Sequence, residues 1–174
     1  MQRGSENFIE LLEPIYSNVL NYCLALTRSQ TEAKDLLQDA LLKALENFDS
    51  LKDQRKFKSW LFTILTRQYY ALYHKSLVRK TFVKKFLEET AAFPQVFETG
   101  TNESDQNALR KAMTLIGDKE RTAIVLFEIG GFSMEEIKKI QGEKSLSAVK
   151  SRISRTRTKL KELILEIRTK ALAI

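Results

Sequence analysis

Apolar residues recur along this chain at steps of three and four, and no stretch alternates with the period of two that marks a half-buried strand. Phe8, Leu12, Ile15, Val19 and Leu26 predict helix over residues 8–28, with Pro14 placed to kink or restart it. Ser29 followed by Glu32 is a capping box, in which the serine oxygen accepts a backbone N–H of the first turn while the glutamate reaches back to the serine amide. It opens the most regular helix of the chain, whose wide buried face is Ala33, Leu36, Leu37, Ala40, Leu41, Ala44, Leu45 and Phe48. Opposite that face lie Asp35, Gln38, Asp39, Leu42 and Glu46. Residues 49–56 are polar and aperiodic and predict a loop. A third helix follows from Phe57 to about Lys75, with Phe57, Trp60, Leu61, Ile64, Leu65 and Leu72 as its core face. Its opposite arc collects Phe62, Thr66, Tyr69 and Tyr73, with Lys58, Arg67, Tyr70 and His74 at the margins.

Between Leu77 and Asp105 the periodicity breaks down, and basic RKTFVKK gives way to an acidic, polar stretch containing Pro94 and Gly100. That composition predicts a linker. Periodicity resumes near Gln106: Ala108, Leu109, Ala112, Met113, Leu115 and Ile116 make one helix, closed near Gly117. Asp118 is placed to cap the next, which carries Ala123, Ile124, Leu126 and Phe127. Gly130 and Gly131 then turn the chain into the segment Phe132 to Lys161. Here Ser133 and Glu136 form a second capping box, Ile137 and Ile140 face inward, and Gly142 can take the left-handed conformation that ends a helix. Ser145 or Ser147 can cap a last helix, whose buried stripe is Val149, Ile153, Thr156, Leu160, Ile164 and Ile167. The expected fold is all-α: two small helical domains, residues 1–76 and 106–174, joined by a linker over 77–105.

Charge sharpens this division. Residues 106–174 hold 15 Lys and Arg against 8 Asp and Glu, a net of +7, whereas residues 1–76 hold 10 against 9. Attraction to phosphates is thus concentrated in the C-terminal third. From Ser147 to Lys161 there are six cations and no acid. With the capped helix and glycine turn before it, this makes a helix-turn-helix with a basic reading helix. Ser147, Ala148, Lys150, Ser151, Arg152 and Arg155, in its first two turns, are placed to enter a DNA groove.

Two other surfaces admit two readings each. The face of Asp35, Gln38, Asp39 and Leu42 is either an ordinary solvated face or a docking face for a basic partner helix. The arc of Phe62, Tyr69 and Tyr73 either stacks on bases of a single strand or packs against another helix of its own domain.

Other functions find little support. There is no Gly-rich phosphate loop, no nucleophile with base and orienter, and no metal cluster, since His74 is the lone histidine. The chain is therefore not expected to be an enzyme or to hold a cofactor. Cys23 lies among leucines, as a small buried residue does. No apolar run reaches a membrane span and no signal peptide precedes the first helix, so a soluble protein of the cytoplasm, without membrane insertion, is expected.

Taken together, these motifs resemble the extracytoplasmic-function sigma factors of bacterial RNA polymerase, over residues 8–75 and 106–163. AKDLLQDALLKAL at 33–45 is similar to the segment by which those factors grip the polymerase clamp helices. FKSWLFTI at 57–64 resembles the family's F-R-x-W-L-x-x-I, and GFSMEEIKKIQG at 131–142 with SAVKSRISRTRTKL at 147–160 is similar to its promoter-reading helix-turn-helix. The resemblance implies a region 2 bundle and a region 4 helix-turn-helix, a function in directing polymerase to promoters and opening the strands, and as partners core polymerase, promoter DNA and an anti-sigma factor. It implies that Asp35, Gln38, Asp39 and Leu42 dock on polymerase. It implies further that the loop residues Asp49, Ser50, Lys52, Gln54, Arg55 and Lys56 take up a base of the minus-10 element, with Lys58, Trp60, Phe62 and Tyr69 trapping the melted strand. The segment Ser145 to Arg155, with Ser147, Ala148, Lys150, Ser151 and Arg152, would read the minus-35 element. The chain departs from the family pattern at Thr66, Arg67 and Ala71, at Gly117, and in a turn from Gly142 to Val149 that is one residue longer. The alternative is an ordinary helix-turn-helix regulator with an N-terminal sensor or dimerisation domain, which would bind duplex DNA without needing polymerase.

Overall fold

The structure is a computed structural model that describes residues 2–27, 29–80 and 103–172. Regular structure among these residues is helical throughout, and the chain divides into two compact units, Met1–Ala92 and Phe93–Ile174. Most of the expected linker, residues 81–102, lies outside the described residues, as do the side chains of Tyr73 and His74.

In the first unit α1 (Gln2–Leu12) runs into a 3-10 turn at Glu13–Ile15 and restarts as α2 (Tyr16–Leu26). Pro14 stands at the start of that turn, where its missing N–H costs no helical hydrogen bond. Helix α3 (Gln30–Glu46) is capped as its sequence predicts on the serine side: the Ser29 hydroxyl accepts from the Thr31 and Glu32 amides at 3.2 and 3.4 Å. Two 3-10 turns, Phe48–Ser50 and Gln54–Lys56, form the connection to α4 (Phe57–Lys80).

The core of this unit gathers Val19, Tyr22 and Leu26 of α2, Leu36 and Ala40 of α3, and Leu61, Phe62 and Leu65 of α4. Tyr22 is its centre. Its ring lies 4.9 Å from that of Phe62, and its hydroxyl is 2.7 Å from Thr66 Oγ1. Because Thr66 gives its one proton to the Phe62 carbonyl at 2.7 Å, Tyr22 is the donor to Thr66. Burial raises the Tyr22 phenol above its ordinary pKa and pushes the Cys23 thiol up to about 12, which leaves both groups neutral and inert.

Helix α4 is turned relative to its sequence expectation. Phe62 has 0% of its surface exposed and Tyr69 5%, and Thr66 between them is also buried. Leu72, expected inside, is exposed, and Trp60 and Ile64 are only partly covered. The physical reason is that α4 packs against both α2 and α3, so it buries two arcs. A helix that is apolar nearly all round carries no single stripe from which to read its orientation. Leu45 of α3, also expected inside, is exposed.

The second unit consists of α5 (Glu103–Thr114), α6 (Asp118–Glu128), α7 (Met134–Gln141) and α8 (Leu146–Leu172). Val125 and Leu126 of α6, Ile137 of α7, and Val149 and Ile153 of α8 are buried together with Ala112 of α5. Leu115, expected in this core, falls beyond the end of α5 and is exposed. Asp118 does not cap α6. The cap position is Gly117, whose amide donates to Glu120 Oε2 at 2.9 Å, while Asp118 pairs with Arg121 at 3.2 Å. Arg121 is buried because its guanidinium has work inside: it donates to the Met113 and Ile116 carbonyls, each at 3.0 Å, and so closes the end of α5. At Gly130 a Cβ would come within 2.6 Å of the Leu126 carbonyl, so the bend between α6 and α7 admits no side chain.

Candidate functional site

The helix-turn-helix forms from the local signals seen in its sequence. Ser133 Oγ accepts the Glu136 amide at 3.3 Å and Glu136 Oε2 accepts the Ser133 amide at 2.8 Å, a complete capping box for α7. Gly142 ends α7 in the left-handed region at φ 66°, and the following Glu143 amide donates to the Lys138 carbonyl at 2.9 Å. Ser145 then opens α8, its hydroxyl accepting the Ala148 amide at 3.4 Å and lying 2.6 Å from Ser147 Oγ.

Val149, Ile153, Thr156 and Leu160 are the buried stripe of α8, with Ile164 and Ile167 half-buried at its end. Directly across the helix lie Ser147, Ser151, Ser154 and Thr158, all exposed. Lys150 and Arg155 flank this hydroxyl row, exposed and without an ion pair among the described residues, and Ala148 lies at its edge. Small hydroxyl side chains between two cations leave room for a base edge and supply donors and acceptors to it. Ser154 belongs to the row although the sequence expectation does not include it; the signal for it is its spacing of three from Ser151 and seven from Ser147.

Other cations of α8 are engaged within the protein. Arg157 pairs with Glu128 at 2.6 Å and lies 4.8 Å over the Phe127 ring, Lys159 pairs with Glu120 at 3.1 Å, and Arg168 with Asp105 at 3.1 Å. Arg152 departs most from expectation. Its side chain is only 18% exposed and turns back from the hydroxyl row toward Glu143 and Gln141.

In the first unit, Asp49, Ser50, Lys52, Gln54, Arg55 and Lys56 are all exposed on the α3–α4 connection. The connection is stiffened from inside. Phe48 packs edge-on against Phe8 at 5.3 Å and Phe57 at 6.1 Å, and Asp53 accepts the Arg55 amide at 3.1 Å and its Nε at 3.0 Å. The same Arg55 hydrogen bond lowers the Asp53 pKa below the usual carboxylate range. Trp60 joins the Phe48 and Phe57 rings at 6.4 and 6.0 Å but keeps part of its surface open, and Lys58 is half-buried. Phe62 and Tyr69 do not belong to this surface, since no base can stack on a ring that already fills the core. Arg67 is an exposed cation of α4, near half-exposed Tyr70.

On α3, Asp35, Gln38, Asp39 and Leu42 are exposed together, Leu42 to 54%. Gln38, Leu42 and the unexpectedly exposed Leu45 border an apolar groove of about 540 Å³ whose other wall is Ile9, Leu12 and Tyr16. The polar face is thus continuous with an open apolar one. Among the described residues no three His, Cys, Asp or Glu side chains come together as they would around a metal ion, and no helix is long and apolar enough to cross a membrane.

The chain is similar to known proteins along most of its length. A family model described as Sigma-70 region 2 matches residues 11–76. The chain is 30% identical over 149 residues to the ECF RNA polymerase sigma factor EcfG of Rhodopseudomonas palustris (strain TIE-1), covering 82% of this chain and 77% of that protein. It is 29% identical over 157 residues to the RNA polymerase sigma factor YlaC of Bacillus subtilis (strain 168), covering 88% and 89%. Among solved structures it is similar to the sigma factor RpoE of Bartonella quintana in complex with the anti-sigma factor NepR, with a TM-score of 0.78, 30% identity, and 91% of this chain and 97% of that one covered.

Proposed function

The chain belongs to the extracytoplasmic-function sigma factors of RNA polymerase, and from that premise we propose that its two helical units divide promoter engagement between them. A sigma factor directs RNA polymerase to promoters. In our reading residues 1–76 act as the region 2 domain, holding core polymerase and the minus-10 element, and residues 106–174 act as the region 4 domain, holding the minus-35 element. Residues 77–105 link the two.

The observation that carries this reading is the chemical contrast of the two exposed surfaces. Asp35, Gln38, Asp39 and Leu42 offer acid, amide and an apolar side chain beside an open apolar groove, which suits a basic, amphipathic protein helix. Ser147, Ala148, Lys150, Ser151 and Arg155, with Ser154, offer hydroxyls between cations, which suits a duplex groove. The connection from Asp49 to Lys56, with Lys58 and Trp60, takes up the displaced strand. It is rigid before the strand arrives, so capture costs little ordering of the protein. The protein performs no chemistry of its own, acts in the cytoplasm with polymerase, and is held inactive by an anti-sigma factor that covers these same surfaces; the similar RpoE of Bartonella quintana is itself in complex with an anti-sigma factor. Similarity to sigma factors over most of the chain favours this reading over an ordinary helix-turn-helix regulator.

The docking assignment is tested by Asp35→Lys combined with Leu42→Lys. Neither side chain is needed for the core, so circular dichroism and melting should stay near wild type while binding of core polymerase in a pull-down is lost. Normal binding by the folded double variant would remove α3 from the polymerase interface.

A further inference from the structure

The way Arg152 is held ties three elements of the second unit together at one point. Its Nη1 donates to Gln141 Oε1 at 2.9 Å and its Nη2 to Glu143 Oε1 at 2.7 Å. Gln141, the last residue of α7, uses its amide nitrogen on the Lys119 carbonyl at 3.1 Å and on Thr122 Oγ1 at 2.7 Å, both in the first turns of α6. Glu143 is the first residue after the left-handed glycine, and it also meets Lys119 Nζ at 3.6 Å. A planar guanidinium can serve two acceptors at once in a fixed direction. Here it joins the second turn of α8 to the end of α7 and to the turn between them, while Gln141 passes the restraint to α6. Arg152 and Glu143 are 18% and 17% exposed, so the pair is shielded from salt far better than a surface ion pair.

We propose that Arg152 is a positioning residue rather than a DNA contact: with Glu143 and Gln141 it fixes the angle at which α8 leaves the turn, and so aims Ser147, Lys150, Ser151 and Arg155 at the upstream duplex. This rests on the assignment of the upstream element to α8. Val149 and Ile153, fully buried, seat these two turns on the core, and the Arg152 fork adds a directed polar restraint beside the exposed hydroxyl row. Ser145 caps α8 through the Ala148 amide, and the Arg152 fork adds a second link across the turn from Gly142 to Ser145.

The proposal predicts an effect opposite in sign to simple electrostatics. Removing an acid near a DNA-binding face ordinarily strengthens binding. Removing Glu143 should weaken it, because the aim of α8 is lost. The probe is a duplex that wild-type holoenzyme itself selects from a pool randomised over the upstream element, with affinity measured across a salt series. Arg152→Ala and Glu143→Ala should each weaken binding about tenfold, and the double variant should be no weaker than either single, as expected of one coupled unit. The salt slope should not change for Arg152→Ala, because a side chain that touches no phosphate releases no counterion. Arg152→Lys keeps the charge but not the fork and should not rescue. Glu143→Gln preserves shape, and therefore folding, and should still weaken binding roughly threefold through the lost charge on the fork.

A slope lowered by about one unit in Arg152→Ala, rescue by lysine, or tighter binding by Glu143→Gln would overturn the proposal and put Arg152 on a phosphate. Lys150→Ala is the control for the underlying assignment and should lower the slope by about one unit. If neither Lys150→Ala nor Arg155→Ala alters duplex binding, the assignment of α8 to the duplex fails, and the positioning role with it. If Lys150→Ala behaves as expected and Arg152→Ala does not, the positioning role alone fails.

Discussion

Phe62 has no exposed surface and lies 4.9 Å from the ring of Tyr22, so its truncation removes a central piece of the first unit rather than a contact with DNA. A large buried aromatic replaced by alanine costs about 3–5 kcal/mol, because the surrounding side chains relax only partly into the cavity. Phe62→Ala should therefore lower the melting temperature of the free protein by many degrees. Holoenzyme formed with it should lose intact duplex and pre-opened bubble DNA alike. A variant that melts as wild type and loses the bubble selectively would mean that the ring leaves the core to stack on a base. Thr66 supports the same packing, since its hydroxyl both accepts from Tyr22 and donates to the Phe62 carbonyl at 2.7 Å. Thr66, one of the positions where the sequence departs from the pattern it resembles, is thus engaged in a core hydrogen bond. At Thr156 the opposite holds: its buried hydroxyl has no hydrogen-bond partner among the described residues, and its place in the apolar stripe comes from its methyl group.

Elements whose ends are fixed by local chemistry were legible in the sequence, and elements oriented by their neighbours were not. Ser133, Glu136 and Gly142 delimit α7 within a few residues of chain, and all three act as their types and spacing imply. The buried stripe of α8 was legible because its first apolar residues stand singly at helical spacing, with only polar residues between them. Helix α4 has apolar or aromatic side chains on nearly every bearing, so only the positions of α2 and α3 decide which arc is covered. Arg152 departs from its sequence expectation for a related reason: its spacing puts it on a solvent flank, and the acceptors that draw it back are Gln141 at the end of α7 and Glu143 in the turn.

Two carboxylates hold the second unit's elements together in a way that pH can test. Glu120 lies below its ordinary pKa of 4.5, chiefly because the Gly117 amide donates to it, with help from Lys159. Glu143 is raised by partial burial but lowered more by Arg152 and Lys119, and ends below 4.5. A carboxylate depressed in the folded state contributes its full stabilisation above its unfolded pKa and loses it as pH falls through the folded value. Hydrogen-exchange protection of amides in α7 and α8 should therefore be flat from neutral pH down to about 5 and fall below about 4.5. Glu143→Gln should remove part of that fall, after correction for intrinsic exchange rates. Protection that instead rises on acidification would mean these carboxylates are strained in the folded protein rather than satisfied.

At the scale of the whole molecule, the charge is divided as the proposed work is. Residues 106–174 carry +7 net, while residues 1–76 carry 10 cations against 9 acids. Each cation that meets a duplex phosphate contributes about 0.9 to the slope of log affinity against log salt, and each that meets a single strand about 0.7. Lys150 and Arg155 are exposed and unpaired among the described residues, so replacing both with alanine should lower the salt slope of holoenzyme on intact duplex by about two units. Lys52 is exposed on the α3–α4 connection, where the displaced strand is proposed to enter. Lys52→Ala should leave the intact-duplex slope unchanged and lower the slope on a pre-opened bubble by about 0.7. Both slopes can be read from equilibrium binding of the same holoenzyme preparations to the two DNA forms across a salt series. If Lys52→Ala flattens the duplex slope instead, the first unit is touching closed DNA, and the division of labour between the two units would have to be redrawn.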